Sequence, residues 1–167
     1  LPQHTLLKDV TAPTEVVGDG SKKGKAALID GDIHTFFAGK KNQAYGDTYM
    51  VMLTKAVEVQ DVRICFKATN GDELKGGKVE VSADGKKWQS LVVKGTSSTQ
   101  SSPARRQKLD EDLYAVDFVA KNPIIAKYVR LVVTQPITNK WLRLSEILVN
   151  TQYFAQQFAP AAVSYTH

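Results

Sequence analysis

The sequence predicts an all-β domain that folds as a sandwich or a barrel. Apolar side chains alternate with a period of two along several segments, helical periodicity is nearly absent, and turn signals separate the segments. The 167 residues match one domain of ordinary size, and 43% apolar with 23% charged residues is typical of globular proteins. No apolar run is long enough to predict a transmembrane helix.

Seven or eight strands are expected, with turns between them. The segments that carry the alternating pattern are 49–53, 57–66, 78–82, 88–93, 113–119, 128–133 and 142–149. Within 57–66 the alternation changes phase at Gln60-Asp61, which predicts an irregularity there. Asp84-Gly85 carries the signature of a tight hairpin between 78–82 and 88–93. The polar stretch 95–107 predicts a hairpin loop.

Three regions follow from this pattern. Residues 1–25 are interpreted as an N-terminal extension with a first strand, 26–150 as the β-sandwich domain, and 151–167 as a C-terminal tail or linker. Because the chain begins at Leu1 and not at Met, we expect a trimmed module or a mature segment, and the lack of a leader says little about export.

The net charge of +5 is spread over small, scattered basic groups. None of these groups alternates with aromatic residues, so no nucleic-acid partner is predicted. Attraction to acidic glycans or anionic lipids stays open on charge alone. Cys65 is the single cysteine and cannot form an intrachain disulfide, and we interpret it as a small packed residue.

Two acidic positions far apart in the sequence predict one metal site. Asp30 lies in a loop rich in oxygen donors, and Glu146 lies in the last predicted strand. Calcium takes six to eight oxygen ligands, more than one acidic loop supplies, so a distant carboxylate is the expected complement. The alternative is that Asp30-Gly31-Asp32 is a solvated turn and Glu146 a surface residue.

Five motifs, taken in order, resemble the discoidin, or coagulation factor C-type, superfamily and within it the family 32 carbohydrate-binding modules. The motifs are Ala27-x-x-Asp30-Gly31-Asp32-x-x-Thr35-Phe36-Phe37, Val59-x-x-Val62-x-Ile64, Val79-x-Val81-Ser82-x-Asp84-Gly85-x-x-Trp88, Ala126-Lys127-Tyr128-Val129-Arg130-Leu131 and Trp141-x-x-Leu144-x-Glu146-Ile147-x-Val149. The resemblance covers about residues 26–150.

This resemblance implies a jelly-roll β-sandwich of the galactose-binding-domain-like type, with one structural calcium ion. It also implies the calcium ligands, position by position. They would be the side chains of Asp30, Thr35 and Glu146 and the backbone carbonyls of Ala27, Asp32, Thr35 and Ser145.

The resemblance further implies a shallow sugar site on the loops at one end of the sandwich. Many galactose-binding members carry a histidine after the aromatic of the Asp-Gly motif and an arginine in the later loop. Here Ala38 follows Phe37, and the loop 67–77 has no arginine, so the galactose-type pocket is not expected. The residues that could replace it are Tyr45, Asn70, Asp72, Asn139 and Trp141; for Trp141, core packing is the alternative.

The function implied is that of a non-catalytic accessory module of a secreted bacterial glycoside hydrolase, which binds terminal sugars weakly. Its partners would be glycans and the catalytic domain of the parent enzyme, and its location secreted, periplasmic or at the cell surface. One alternative is a purely structural domain packed on the catalytic domain. Another is a discoidin-type protein or membrane adhesion module, which the lone Cys65 disfavours because such domains usually carry a disulfide. Catalysis is not expected, since the three histidines are isolated.

Overall fold

The computed structural model describes residues 26–38, 42–96, 98–99 and 106–150. The expected N-terminal extension and first strand (1–25) and the C-terminal tail (151–167) lie outside these residues. The described part of the chain consists of strands and one 3-10 helix, Ala26–Ile29. The prediction of an all-β fold is therefore confirmed.

Seven strands form one hydrogen-bonded network in which all pairs are antiparallel. The strands are β1 (Phe37–Ala38), β2 (Thr48–Lys67), β3 (Gly76–Ser82), β4 (Gln89–Ser90), β5 (Gln107–Asp110), β6 (Leu113–Gln135) and β7 (Arg143–Val149). Their order is β1-β7-β2-β6-β3-β4, and β5 pairs with β6.

The central strands β2 and β6 are much longer than predicted, because each contains two of the predicted strands. The first half of β2 pairs with the second half of β6, and the second half of β2 pairs with the first half of β6. The register shifts between Met52 and Val57, where Thr54, Lys55 and Ala56 are exposed. A second shift between Val59 and Asp61 matches the predicted phase change. The prediction of separate strands was wrong, because bulges let the chain bend without leaving the ladder.

One hydrophobic core is shared by the two halves of the network. Each half turns one face inward, and the buried side chains of both form a single cluster. This cluster includes Tyr49, Val51, Val79, Val129 and Leu131 from one half and Val62, Ile64, Phe66, Val116, Phe118, Leu144 and Ile147 from the other. The arrangement is a β-sandwich, in which alternate residues of each strand face the core.

The predicted hairpin between β3 and β4 has a longer connection than expected. The hydroxyl of Ser82 accepts the Gly85 amide at 2.8 Å, and the carboxylate of Asp84 accepts the amides of Lys86 and Lys87 at 2.8 and 3.0 Å. These hydrogen bonds lower the pKa of Asp84 to about 2. Asp84 therefore organises a six-residue turn (83–88). Of the predicted strand, Gln89–Ser90 pairs with β3, and the Leu91 amide donates one further hydrogen bond to the Val79 carbonyl at 2.8 Å.

Candidate functional site

The Asp30 loop follows the 3-10 helix and is shaped by its own hydrogen bonds. One carboxylate oxygen of Asp30 accepts the Asp32 amide at 2.9 Å, and the other accepts the Thr35 hydroxyl. The Asp32 carbonyl accepts the Thr35 hydroxyl at 3.0 Å and the Thr35 amide at 3.3 Å. Gly31 adopts a φ of +77°, which a residue with a side chain rarely adopts. These hydrogen bonds order the loop around the Asp30 carboxylate, while Asp30, Gly31 and Asp32 all stay exposed, as the solvated-turn alternative expected.

Glu146 reaches this loop because of an irregularity in β7. Cys65 pairs with Glu146 while Phe66 pairs with Leu144, so Ser145 is an extra residue in the ladder. Such a bulge re-aims the neighbouring side chains. Glu146 is only 1% exposed, which contradicts its alternative interpretation as a surface residue.

The electrostatics of Glu146 are unusual for a carboxylate. Neither of its oxygens has a hydrogen-bond partner of ordinary geometry. Burial, together with the neighbouring Asp30 carboxylate, raises the pKa of Glu146 to about 9. Burial also acts to raise the pKa of Asp30, but its contacts with Glu146, Thr35 and the Asp32 amide outweigh this and lower it. Two adjacent carboxyl groups, one of them buried without a partner, are costly unless a proton or a cation neutralises them.

The donor set at this position fits calcium. Carboxylate, hydroxyl and carbonyl oxygens are the ligands that a hard cation prefers. Across the described ranges, no three His, Cys, Asp or Glu side chains gather as a metal cluster, so backbone carbonyls would have to supply several ligands. The structure places Asp30, Asp32, Thr35 and Glu146 together, while Ala27 and Ser145 are buried on adjoining elements. The calcium site stays a prediction.

A second site is an open cleft formed by two loops and the start of β7. Its volume is about 320 Å³. It is lined by Asn70, Asp72, Asn139, Lys140, Trp141 and Arg143. Four of the five residues predicted for sugar binding, all except Tyr45, therefore share this one cleft.

The turn Thr69–Asp72 shapes one wall of the cleft. Asn70 and Gly71 both have positive φ angles, 55° and 83°, and the Asp72 amide donates to the Thr69 carbonyl at 3.0 Å. This is the geometry of a turn that favours an Asn-Gly pair. The side chain of Lys140 crosses this turn, because a Cβ atom at Gly71 would lie only 3.1 Å from its Cε.

Gln43 connects the loops that build the cleft, and the sequence analysis missed it. Gln43 is buried, with 8% of the residue exposed. Its Nε2 donates to the carbonyls of Glu73 and Trp141, both at 2.9 Å. Its Oε1 accepts the Ile137 amide at 3.2 Å, and its own amide donates to the Lys140 carbonyl at 2.7 Å. A glutamine in a polar loop carries no sequence signal for such a role.

The two aromatic candidates differ in position and exposure. Tyr45 is 75% exposed on a turn in which the Asp47 carboxylate accepts the Ala44 amide, and it does not line the cleft. Trp141 is 39% exposed and does line it. Of these two rings, that of Trp141 is therefore available to a molecule in the cleft, which disfavours its interpretation as core.

Comparison with known proteins identifies the family. The model of the F5/8 type C domain matches residues 9–147. The first family 32 carbohydrate-binding module of a family 31 glycoside hydrolase from Clostridium perfringens is similar over 89% of this chain and 99% of its own, with 20% identity and a TM-score of 0.64. A family 32 module of NanJ from the same organism was solved with galactose. It has 17% identity and a TM-score of 0.60, over 86% of this chain and 95% of its own.

A third similar structure is the family 32 module of AlyQ, solved with 4,5-unsaturated mannuronic acid. Its identity is 19% and its TM-score 0.53, over 83% of this chain and 98% of its own. No curated protein matches the chain. Among the described residues, no helix is long and apolar enough to span a membrane. The predicted resemblance to the discoidin superfamily and its family 32 modules is confirmed.

Proposed function

Because this chain belongs to the F5/8 type C family of non-catalytic binding domains, we propose that it is a carbohydrate-binding accessory module of a secreted bacterial glycoside hydrolase. It binds terminal sugars weakly, in the cleft beside Trp141. The catalytic domain of the parent enzyme is its second partner.

One observation carries this proposal: an exposed aromatic ring stands beside convergent polar groups in one cleft. The ring of Trp141 offers an apolar face for stacking, and the amides of Asn70 and Asn139 and the carboxylate of Asp72 can orient hydroxyl groups. The volume of about 320 Å³ lies at the lower end of ligand pockets, which span roughly 300 to 1,000 Å³. One terminal sugar fits better than a long chain, and an open site of this size favours weak binding.

The attachment to an enzyme is supported by the solved relatives. One of them is part of a family 31 glycoside hydrolase, and two were solved with a sugar or a uronic acid. Family 32 modules typically occur in extracellular bacterial proteins, which supports secretion.

We also propose a structural calcium ion held by Asp30, Thr35 and Glu146, with carbonyls of Ala27, Asp32, Thr35 and Ser145. The buried, partnerless oxygens of Glu146 support it, because a divalent cation would neutralise both carboxylates. When bound, the ion supplies positive charge and ties the Asp30 loop to β7. It has no role in catalysis.

The sugar proposal is tested by titrating the calcium-loaded chain with galactose, N-acetylgalactosamine and N-acetylglucosamine, followed by calorimetry and NMR. Trp141→Ala should weaken the binding about tenfold, since a stacking ring contributes about 1 kcal/mol or more. Trp141→Phe is the matched control and should retain most of the affinity. Full binding by Trp141→Ala would place the sugar elsewhere. If neither neutral nor acidic sugars bind, the alternative of a purely structural module is favoured.

A further inference from the structure

The charges that line the cleft do not balance. Lys140 and Arg143 are cationic, and Asp72 is the single carboxylate among the lining residues. Asp72 already lies beside Arg143, with 3.3 Å between the carboxylate oxygen and Nε. In the part of the chain that the structure describes, no carboxylate lies within 4 Å of the Lys140 ammonium. The cleft therefore carries one positive charge in excess.

Lys140 is held in place more firmly than an ordinary surface lysine. Its carbonyl accepts the Gln43 amide at 2.7 Å, and its amide donates to the Ile137 carbonyl at 3.3 Å. Its aliphatic stem packs over the turn at Gly71, where the missing side chain leaves room for it. The Lys140 side chain therefore extends along one wall of the cleft.

Arg143 presents unused donors to the same space. Its Nε is buried and faces Asp72 without the geometry of a hydrogen bond. Among the hydrogen bonds of the described residues, none involves its terminal Nη groups. A guanidinium group offers parallel N–H donors that match a carboxylate or a sulfate. A neutral sugar would leave these hydrogen-bond donors unused and the Lys140 ammonium without an anionic partner.

We propose that the cleft selects a sugar with one negative charge, either a carboxylate or a sulfate ester, and that Lys140 and Arg143 recognise this group. This inference rests on the proposed sugar-binding function and adds the chemical class of the ligand. Trp141 holds the apolar face of the ring, and the two cations hold the anionic substituent. One anion on the sugar makes the cleft neutral.

The test compares each neutral sugar with its acidic counterpart in three matched pairs: galactose with galacturonic acid, glucose with glucuronic acid, and mannose with mannuronic acid. In at least one pair, the acid should bind about tenfold more tightly, as expected for a charge-assisted hydrogen bond in an open site. The methyl ester of that acid, which has no negative charge, should bind with the affinity of the neutral sugar. Galactose 6-sulfate separates a sulfate from a carboxylate, and tighter binding of either anion supports the proposal.

Lys140→Gln is the main variant, because it leaves the Asp72–Arg143 pair intact. It should lower the affinity for the acidic sugar about fivefold to tenfold and change that for its neutral partner less than twofold. The advantage of the acid should also shrink at 0.5 M salt. Lys86→Gln, on the exposed β3–β4 turn, is the matched control and should change neither affinity.

Two negative results have different meanings. If neutral sugars bind as tightly as their acids in all three pairs and galactose 6-sulfate binds no more tightly than galactose, the inference is wrong and the sugar-binding function stands. If no sugar of either class binds, both proposals are wrong.

Discussion

The Asp30–Glu146 region and the Trp141 cleft are built partly from the same strand, yet they treat charge in opposite ways. Arg143 lines the cleft, and Glu146 follows three positions later on β7, about 10 Å along the strand. Glu146 is buried, and neither of its oxygens has a hydrogen-bond partner of ordinary geometry. In the cleft, Lys140 and Arg143 stay partly exposed beside one carboxylate.

The proposals assign a structural role to the first region and a binding role to the second. A buried carboxylate without a partner destabilises the fold until something within the fold neutralises it. An exposed charge without a partner costs little folding free energy, because water solvates it, so it stays available to bind a ligand. We therefore expect changes in the first region to alter stability and changes in the second to alter affinity.

The largest expected effect is the protection of the Cys65 thiol in the region around Glu146. Cys65 is buried and pairs with Glu146 across the strands, and burial raises the pKa of its thiol to about 12. Labelling with a thiol reagent at pH 7.5 should be at least ~1,000-fold slower in the native chain than in denaturant, because it requires opening of the core.

A cysteine at an exposed position provides the contrast. Tyr45→Cys, made in a Cys65→Ala background, should be labelled rapidly in the native state, since position 45 is exposed. Rapid native labelling of Cys65 itself would contradict the burial of the region around Glu146.

Calcium should have the next largest effect, and on stability alone. At a hundred times its Kd, a ligand adds about 2.7 kcal/mol to the free energy of unfolding. For a chain of this length the Tm of the metal-stripped protein should rise by roughly 5–10 °C, as calorimetry can measure. Glu146→Gln should abolish the shift, and its metal-free Tm should be no lower than that of the metal-free wild type, because the raised pKa already keeps Glu146 neutral near pH 7.

Glu58→Gln is the matched control for this experiment. Glu58 is an exposed carboxylate on β2, so the variant should keep the whole calcium shift. A full shift in Glu146→Gln would rule out Glu146 as a calcium ligand.

Gln43→Ala should affect both properties, because Gln43 joins the loops that build the cleft. The variant leaves the carbonyls of Glu73 and Trp141 and the amide of Ile137 without their side-chain partner. We expect a loss of about 1–3 kcal/mol in the free energy of unfolding, measured in urea, and weaker sugar binding. Gln89→Ala, at an exposed position of β4, should have the stability of the wild type. Equal urea midpoints for the two variants would contradict a connecting role for Gln43.

Tyr45→Ala should have the smallest effect. The ring is exposed and does not line the cleft, so the affinity for sugars should change less than twofold. A loss as large as that of Trp141→Ala in the same titration would extend the binding surface to the Tyr45 turn.

The strands could be predicted from the sequence because the side-chain alternation of a half-buried strand is local. The phase change at Gln60-Asp61 predicted the register shift between Val59 and Asp61 for the same reason. The continuity of β2 and β6 could not be predicted. The exposed residues Thr54, Lys55 and Ala56 resemble a connection in sequence, and only pairing with β6 on both sides makes them part of one strand.

The candidate sites also have features that the sequence predicts and features that it does not. The chemistry of Asp30, Glu146, Asn70 and Trp141 was evident from residue type and motif order. The roles of Gln43 and of the bulge at Ser145 were not, because both depend on partners distant in sequence.

The sequence alone determined that this chain is an all-β member of the discoidin superfamily, and it identified two groups of residues with distinct chemistry. Only the tertiary structure decided which residues of those groups meet and which are buried. It buried Glu146 beside Asp30 and left Tyr45 outside the cleft. It also brought Lys140 and Arg143 into the same cleft as Trp141. The physical reason is that solvent exposure and charge balance are properties of residues that meet through folding, whereas alternation and turn chemistry are properties of neighbours along the chain.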